Sequence, residues 1–511
     1  MTSRMKDKVK SKSNAFRELA TIFSEITHLR GIKRLLSWDQ ETYMPQMGQH
    51  NRAEQTALIS SIIHKKMTSD QVGLLIQELS PILEERNEED DQFVCLREWK
   101  RLYERQKKVP SQLVEELSRQ SVLAHSAWAK AREKADFSIF LPHFKKLVSL
   151  SRQKAAHLGF EKSPYDALLD EFEPGTEAAE LEEMFAQLVP ALKSLLDRLQ
   201  RANRDSELKI QASFDLRRQE IFAQAAASTL GFDFQAGRLD TVVHPFSTKI
   251  GPGDCRITTR WNEKDFSEGF FGVLHEAGHA MYSQNLPSDK YGTPLGESVS
   301  LGVHESQSRF WENFIGRSRP FWTYFFPLAR SFFPGQLDHF TLDSFLQAIN
   351  QVKPSFIRVE ADEVTYNIHV YLRFVIEKEL FEEKLEPENV PDRWNGLFQE
   401  LFSMEVPNDS LGCLQDVHWS GAAFGYFPTY TLGNIYAAML HERMRQEVPD
   451  MDALMERAEF GPILSWLKDK IHSKGQRYRP RRLIQLATQM EPSPKPLINY
   501  LEEKYAQLFH I

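Results

Sequence analysis

Two histidines and a glutamate in one short segment have the spacing of a metal site. His275 and His279 stand four residues apart, and Glu276 directly follows the first of them. Residues four apart on a helix lie on the same face, so both imidazoles can bind one ion. Neutral imidazole is a common zinc ligand, and a carboxylate beside the ion can take a proton from a coordinated water. The segment therefore predicts a zinc hydrolase centre, with His275 and His279 as ligands and Glu276 as the general base.

The apolar flanks of this segment favour a metal site over a helix that carries two histidines by chance. They predict a mostly buried helix, with Phe270, Phe271, Val273, Leu274, Ala277, Ala280 and Met281. Burying imidazoles and a carboxylate without partners is costly. A bound ion would remove that cost, so we interpret the segment as a metal-binding helix.

A third ligand is needed, because a catalytic zinc ion usually has three protein ligands and one open position. Two glutamates downstream, Glu297 and Glu305, are candidates. We prefer Glu305, because residues 303–315 have the apolar spacing of a helix. Its neighbours His304 and Gln307 could also orient the ligands. Glu297 has fewer polar neighbours and is expected in a loop.

The elements around these residues are predicted to be mostly helices. Apolar residues recur at helical spacing, with charged residues between them, in residues 15–37, 50–80, 112–134 and 177–203. The exception is residues 237–261, where β-branched residues and a Gly-Pro-Gly turn signal predict two or three short strands. We therefore predict a mainly α protein with a long substrate groove and a small β-sheet next to the zinc helix. Residues 1–14 are expected to form a flexible N-terminus, and residues 15–511 a single domain.

The composition of the chain narrows the classes of partner. Its 511 residues carry a formal net charge of −8, which disfavours nucleic-acid binding, since phosphate contacts need a basic surface. No stretch approaches the roughly 18 consecutive apolar residues of a membrane span. The most apolar segment, residues 320–326, is interpreted as core or subunit interface. The three cysteines are too few and too scattered for a disulfide framework. We expect a cytoplasmic protein with no nucleic-acid or membrane partner.

Several short strings, in order along the chain, resemble those of the carboxypeptidase Taq family of metallocarboxypeptidases. They are residues 38–42 (WDQET), 165–170 (YDALLD), 244–246 (HPF), 254–258 (DCRIT), 275–279 (HEAGH), 304–308 (HESQS), 357–362 (IRVEAD), 412–419 (GCLQDVHW) and 425–430 (GYFPTY). The histidine pair alone is shared by many unrelated proteases, whereas the ordered set is specific. The resemblance implies a gluzincin-like helical fold, a homodimer and peptide substrates with a free C-terminus. It also implies one divalent metal ion per subunit, Zn²⁺ or alternatively Co²⁺.

An enzyme that removes C-terminal residues has to recognise a free carboxylate, and the planar fork of arginine matches its two oxygens. Arg358 is our first candidate, with Asp362 four residues on as a bridge partner. Arg256, in the strand region, is the second candidate. It could instead narrow the end of the groove so that only a chain terminus fits. For either arginine, a structural salt bridge is the alternative.

Three further residues are candidates for contact with the substrate. His418 and Tyr430 lie in family-like strings and can each donate a hydrogen bond to the oxyanion that forms during hydrolysis. The alternative is that both are buried polar residues bonded to the backbone. His244 is expected to line the groove or to support a ligand, because three metal ligands are already found.

These residues lead to three functional hypotheses. The first is a metallocarboxypeptidase of broad specificity in which Glu276 activates a metal-bound water. The second is an oligopeptidase or endopeptidase with the same zinc chemistry. The third is a non-catalytic helical binding scaffold with a structural metal. Glu276 argues against the scaffold, because a structural site has no use for an uncoordinated carboxylate beside the ion.

Overall fold

Helices form most of the protein, as the apolar spacing predicts. The computed structural model describes residues 3–84, 87–202, 208 and 210–511, with side chains from residue 13 onward. The helices that precede the sheet are α1 (Ser3–Thr42), α2 (Gln49–Met67), α3 (Asp70–Leu79), α4 (Asp91–Lys108), α5 (Ser111–Lys134), α6 (Leu141–Leu158), α7 (Pro164–Phe172), α8 (Ala178–Ala202) and α9 (Leu216–Leu230).

The second half of the chain begins with the sheet and continues as helices. The strands are β1 (Gly237–Thr241), β2 (Ser247–Gly251) and β3 (Asp254–Thr259). The helices that follow are α10 (Phe266–Gln284), α11 (Leu301–Arg309), α12 (Arg319–Phe332), α13 (Leu342–Ile349), α14 (Thr365–Phe381), α15 (Val390–Phe402), α16 (Pro428–Glu447), α17 (Met451–Glu456), α18 (Gly461–Lys470), α19 (Pro480–Thr488) and α20 (Lys495–Phe509). The mainly α class with a small β-sheet is confirmed.

Three of the four predicted helical stretches correspond to single helices, and one does not. Residues 15–37 lie within α1, and residues 112–134 and 177–203 match α5 and α8, except that residue 203 lies outside the described residues. Residues 50–80 are helical as predicted, but they form two helices, α2 and α3. Ser69 accepts a hydrogen bond from the backbone N–H of Val72 and caps the new helix. The apolar spacing continues across this break, so periodicity alone did not reveal it.

The sheet lies directly before α10, where strands were predicted. Its order is β1-β3-β2, with β1 parallel and β2 antiparallel to β3. Gly253 in the turn between β2 and β3 has a φ of +77°, which glycine adopts without strain. The strand β2 is thus an edge strand, and it packs against both α1 and α10.

Two apolar clusters hold the helices together. The smaller joins α1, α3 and α4, where Phe23 stacks on Trp99 with ring centroids 5.1 Å apart. The larger extends from α5 to α20 and contains α10, the helix that carries His275 and His279. The aromatic segment 320–326 belongs to it, since four side chains of this segment are buried: Phe321, Trp322, Phe325 and Phe326. That segment is therefore core.

The remaining predictions concern membrane spans, the cysteines, the N-terminus and the division into domains. Among the described helices, none is long and apolar enough to cross a membrane. Cys95, Cys255 and Cys413 are all buried and unpaired. Residues 1 and 2 of the predicted flexible N-terminus lie outside the described residues, and from Ser3 the backbone belongs to α1. The mobility of residues 1–14 and the single domain over 15–511 stay predictions.

Candidate metal centre

The helix α10 carries the first two ligand candidates and the candidate base. It begins after Asp265, whose carboxylate accepts a hydrogen bond from the backbone N–H of Ser267 at 2.9 Å. Its middle lies against α11 with almost no space between the backbones. A Cβ atom at Gly278 would lie 2.6 Å from the carbonyl oxygen of Gln307. Glycine at this position therefore brings the two helices close enough to share a site.

The helix α11 supplies the third ligand candidate. Ser300 caps it by accepting from the backbone N–H of Val303 at 3.1 Å. Glu305 Oε2 lies 3.3 Å from His279 Nε2 and 3.7 Å from His275 Nε2. One donor atom from each of these three residues lies within 4.8 Å of the others.

This donor set fits a catalytic zinc ion. Two imidazole nitrogens and one carboxylate oxygen are a common ligand set for hydrolytic zinc, with one position left for water. Glu297, the alternative ligand of the sequence, follows the short turn Pro294–Gly296 and lines the same cleft without joining the group. Of the two glutamates, the structure brings only Glu305 together with the histidines.

Neighbouring side chains fix the orientation of both imidazoles. Glu312 Oε2 lies 2.9 Å from His275 Nδ1, and His304 Nδ1 lies 2.6 Å from His279 Nδ1. The Nδ1 atom of each ring therefore faces a supporting side chain, and the Nε2 atom remains available to bind an ion. The sequence pointed to His304 but missed Glu312. The only signal for Glu312 in the sequence was its place in the same predicted helical stretch, 303–315, because the π-helical turn Phe310–Ile315 that positions it was not predicted.

The surroundings of the site lower the pKa values of Glu305 and Glu312 and raise that of Glu276. Burial would raise the pKa of Glu305, but Arg309 and the two histidines outweigh it and hold that pKa well below its usual value. Arg309 Nε donates to Glu305 Oε1 at 2.7 Å. Burial likewise opposes ionisation of Glu312, yet Arg309 and His275 lower its pKa to about 2. Burial raises the pKa of Glu276, and the histidines only partly offset this. Glu305 is thus ionised and ready to bind a cation, whereas Glu276 holds a proton more readily.

The donor group opens into a cleft of about 780 Å³. Glu276 lines this cleft beside the two histidines. One wall is formed by residues 245–249 around β2 together with Arg34 of α1. Another wall carries Arg358, Tyr366, Tyr426 and Tyr430.

Arg358 lines the cleft although its side chain is almost fully buried, at 4% exposed. Its Nε and Nη2 donate to Asp416 Oδ1 at 3.1 and 2.7 Å, and its Nη1 donates to the Tyr366 hydroxyl at 2.8 Å. The expected bridge from Arg358 to Asp362 is wrong. Asp362 instead accepts from the backbone N–H groups of Val364 and Thr365, both at 2.9 Å. A carboxylate at the start of a helix is stabilised by those orphan donors, and this role removes it from Arg358.

His418 and Tyr430 lie together near Arg358. His418 Nε2 is 3.1 Å from the Tyr430 hydroxyl, and the Arg358 guanidinium lies 4.8 Å from the centre of the Tyr430 ring. Burial lowers the pKa of His418 to about 4, so its ring is neutral and can orient the tyrosine hydroxyl. Tyr430 reaches the cleft, and His418 contacts it from behind.

Arg256 and His244, the other two candidates for substrate contact, lie outside the group formed by Arg358, Tyr430 and His418. Arg256 donates to both oxygens of Asp254 at 2.8 Å and lies over the Trp38 ring at 4.1 Å. This ion pair matches the structural salt bridge that was the alternative to substrate binding by Arg256. His244 is exposed and directly precedes Pro245, which lines the cleft. The structure therefore groups Arg358, Tyr430 and His418, and leaves these two residues outside that group.

Comparison with known proteins yields closely similar chains over almost the full length. The family model described as carboxypeptidase Taq (M32) metallopeptidase matches residues 18–505. The thermostable carboxypeptidase 1 of Thermus thermophilus is 42% identical over 97% of this chain and 99% of its own. The carboxypeptidase 1 of Bacillus subtilis is 40% identical over 96% of this chain and 98% of its own. The crystal structure of a carboxypeptidase from Deinococcus radiodurans superposes with a TM-score of 0.94 at 35% identity, covering 98% of this chain and 100% of that one.

Proposed function

Because this chain belongs to the carboxypeptidase Taq (M32) family and is a metallocarboxypeptidase, we propose that it releases C-terminal residues of varied side chain from peptides. The observation that carries the proposal is one cleft that holds both parts of such an activity. A His–His–Glu donor group lies beside the uncoordinated Glu276, and an arginine lies in the wall of the same cleft.

The metal site is proposed to consist of His275, His279 and Glu305, with zinc as the ion and cobalt as the alternative. These nitrogen and oxygen donors accept several divalent ions, and zinc is the commonest at hydrolytic sites of this type. When bound, such an ion lowers the pKa of a coordinated water to about 7 and polarises the scissile carbonyl.

Glu276 is proposed as the general base. The residue is 7% exposed and lines the cleft beside the ligands. Burial raises the pKa of Glu276, which suits a group that takes a proton from the attacking water and gives it to the leaving amine. Tyr430 is proposed to donate a hydrogen bond to the oxyanion. Burial holds the pKa of Tyr430 well above its usual value, so its hydroxyl keeps the proton that it donates.

Arg358 is proposed to bind the substrate's terminal carboxylate. Asp416 and Tyr366 occupy three of its five N–H groups, which leaves one N–H on each terminal nitrogen. Two such groups form the fork that binds a carboxylate through both oxygens. Asp416 also accepts from Arg373 at 2.6 Å, so it holds both arginines in place.

The test compares one peptide as its free acid and as its C-terminal amide, each incubated with the metal-loaded protein and followed by mass spectrometry. We expect stepwise loss of C-terminal residues from the free acid and slow cleavage of the amide. Equal cleavage of both would favour the oligopeptidase hypothesis. The non-catalytic scaffold is set aside by the family relationship.

We also propose that the protein is a cytoplasmic homodimer. Three buried, unpaired cysteines suit a reducing compartment. The dimer is implied by the sequence resemblance, and the part-exposed Tyr324 and Leu328 on α12 are compatible with it. Sedimentation equilibrium of the metal-loaded protein measures the oligomeric state directly.

A further inference from the structure

Two cations besides Arg358 line the cleft, near β2. Arg34 comes from α1 and Lys249 from β2. Arg34 Nη1 donates to the backbone carbonyl of Lys249 at 3.2 Å, and Lys249 Nζ donates to the backbone carbonyl of Gly296 at 2.8 Å. Within the described part of the chain, neither cation forms an ion pair with a carboxylate. Arg34 therefore uses only one of the five N–H groups of a guanidinium.

The nearest compensating charge is insufficient for these cations. Glu297 is the carboxylate whose charge acts on Lys249, on the neighbouring Arg30 and on Tyr291. Its Oε1 is buried and has no hydrogen-bond partner among the described residues. Lys249 and Arg30 thus share one carboxylate, the charge of Arg34 acts on both of them, and burial lowers the pKa of each. Partly buried positive charge with too little counter-charge is unfavourable, so an added carboxylate would be stabilised here.

The position of these cations relative to the metal ligands indicates which part of a substrate meets them. Both line the same cleft as His304, whose ring contacts His279. Arg358 is linked instead to Glu305, because its Nη1 donates to the Tyr366 hydroxyl and the Tyr366 ring lies under Arg309, which donates to Glu305. Arg358 is thus connected to the ligand on α11, whereas Lys249 belongs to β2, which packs against α1 and α10.

We propose that Arg34 and Lys249 form a binding site for an acidic side chain of the substrate, on the N-terminal side of the scissile bond. This inference rests on the proposed function, because it places the terminal carboxylate at Arg358 and the scissile carbonyl at the metal. The remaining peptide then runs past His304 along β2 and brings its upstream side chains to the two cations. Peptides with Asp or Glu near the cleaved bond are accordingly preferred over neutral ones.

The competing explanation is that both cations are structural and only join α1 to β2. Their hydrogen bonds to backbone carbonyls would suffice for that role. A structural role affects all substrates equally, whereas a binding site for acidic side chains affects only substrates that carry one.

The experiment uses three series of pentapeptides that share a C-terminal residue and carry Glu, Gln or Lys at the first, second or third position before the cleaved bond. For the metal-loaded wild type, kcat/KM is expected to be about three- to tenfold higher for Glu than for Gln at one position or more, and to fall toward equality at high salt. In Arg34→Gln and Lys249→Gln, the ratio of Glu to Gln should approach one, because kcat/KM falls more for the Glu peptides than for the Gln peptides. Lys33→Gln, an adjacent charge on α1 outside the cleft, is the matched control and should keep the wild-type ratio.

Binding of the same peptides to the metal-loaded Glu276→Gln protein separates this inference from the proposed function. The dissociation constants should show the same preference for Glu, and Arg34→Gln in that background should remove it. A ratio near one in the wild type, or an unchanged ratio in both cleft variants, overturns the binding site and leaves the carboxypeptidase intact. Absent cleavage with a preserved binding preference overturns the proposed function and leaves the binding site intact.

Discussion

At the scale of single residues, the chemistry depends on which carboxylate binds the ion and which one stays free of it. Arg309 and the histidines keep Glu305 ionised, whereas burial, only partly offset by the histidines, raises the pKa of Glu276. The pKa values of the two carboxylates thus shift in opposite directions, which supports the proposed roles of Glu305 as ligand and Glu276 as base. The histidine spacing was readable from the sequence, but this electrostatic separation was not, because Arg309 acts through contacts that only the fold defines.

Replacing Glu276 by Gln should stop hydrolysis without loss of metal. Gln keeps the size of the side chain but cannot accept the proton of the attacking water. We expect kcat to fall by a factor on the order of 10² to 10⁴, as for the loss of a general base. The measurement is peptide cleavage by mass spectrometry, together with metal content by atomic emission. Retention of wild-type activity would show that another group is the base.

Glu305→Ala and Glu297→Ala should differ in metal binding. Removing Glu305 takes away a carboxylate 3.3 Å from His279 Nε2 and leaves Arg309 paired with Glu312 alone. The metal content after dialysis should therefore drop sharply for Glu305→Ala and stay near one ion per chain for Glu297→Ala. The opposite result would make Glu297 the ligand.

At the scale of elements, the site depends on helices that approach one another unusually closely. Apolar periodicity predicted α10 and the helix around Glu305, and β-branched residues predicted the strands before them. It did not predict that α11 continues as a π-helical turn through Phe310–Ile315, which brings Glu312 back to His275. Nor could it predict that Asp416 and Arg358, 58 residues apart, form one ion pair. Contacts of that kind follow from packing, which periodicity does not encode.

Gly278→Ala should weaken metal binding through the distance between α10 and α11. The added methyl group would meet the backbone at Gln307 and Ser308, 2.6 and 2.7 Å away, so the helices would have to separate. Overpacking of this kind costs about 1–3 kcal/mol of stability. We expect a lower Tm and a weaker affinity for zinc, measured by calorimetry and by competition with a chelator.

Gly396→Ala is the control for that substitution. Gly396 also lies inside a helix, α15, and a Cβ atom there would meet nothing within 4 Å. Alanine favours the helix over glycine by about 0.5–1 kcal/mol, so this variant should gain stability and keep its metal affinity. A loss of zinc affinity in both variants would show that the close approach of α10 and α11 is not the cause.

At the scale of the whole molecule, the cleft is assembled from parts that are distant in sequence. Arg34 and Lys249 share one wall although 215 residues separate them, and Arg358 lies in another. The helical class, the strand region and the grouping of His275, His279 and Glu305 could be predicted, because each is encoded within a few tens of residues. The walls of the cleft could not, because they depend on how α1 packs against β2. Buried ionisable groups that join distant helices likewise depend on how those helices pack.

Glu173 is such an ionisable group, and its protonation should make the stability of the protein depend on pH. It is fully buried at the end of α7, where it accepts from the backbone N–H of Gly302 in α11 at 2.9 Å and from the Tyr436 hydroxyl of α16 at 3.3 Å. Burial raises its pKa to about 7, above the ordinary value of 4.5 that holds in the unfolded chain. Between these values the folded protein keeps the proton and the unfolded chain loses it. The free energy of unfolding should therefore fall as pH rises from 4.5 to 7, by about 3 kcal/mol at most, and level off above that.

Glu173→Gln should remove this part of the pH dependence, because the amide is neutral throughout and can still donate to the tyrosine or to Ser300. Calorimetry of the metal-loaded proteins between pH 5 and pH 8 measures it, and we expect Tm to fall less with rising pH in the variant than in the wild type. Titration of the metal ligands also changes Tm, but it is common to both proteins and cancels in their difference. Glu183→Gln, an exposed change on α8, should reproduce the wild-type slope. Equal slopes for Glu173→Gln and the wild type would mean that Glu173 is already ionised in the fold, with the donors of α11 and α16 outweighing its burial.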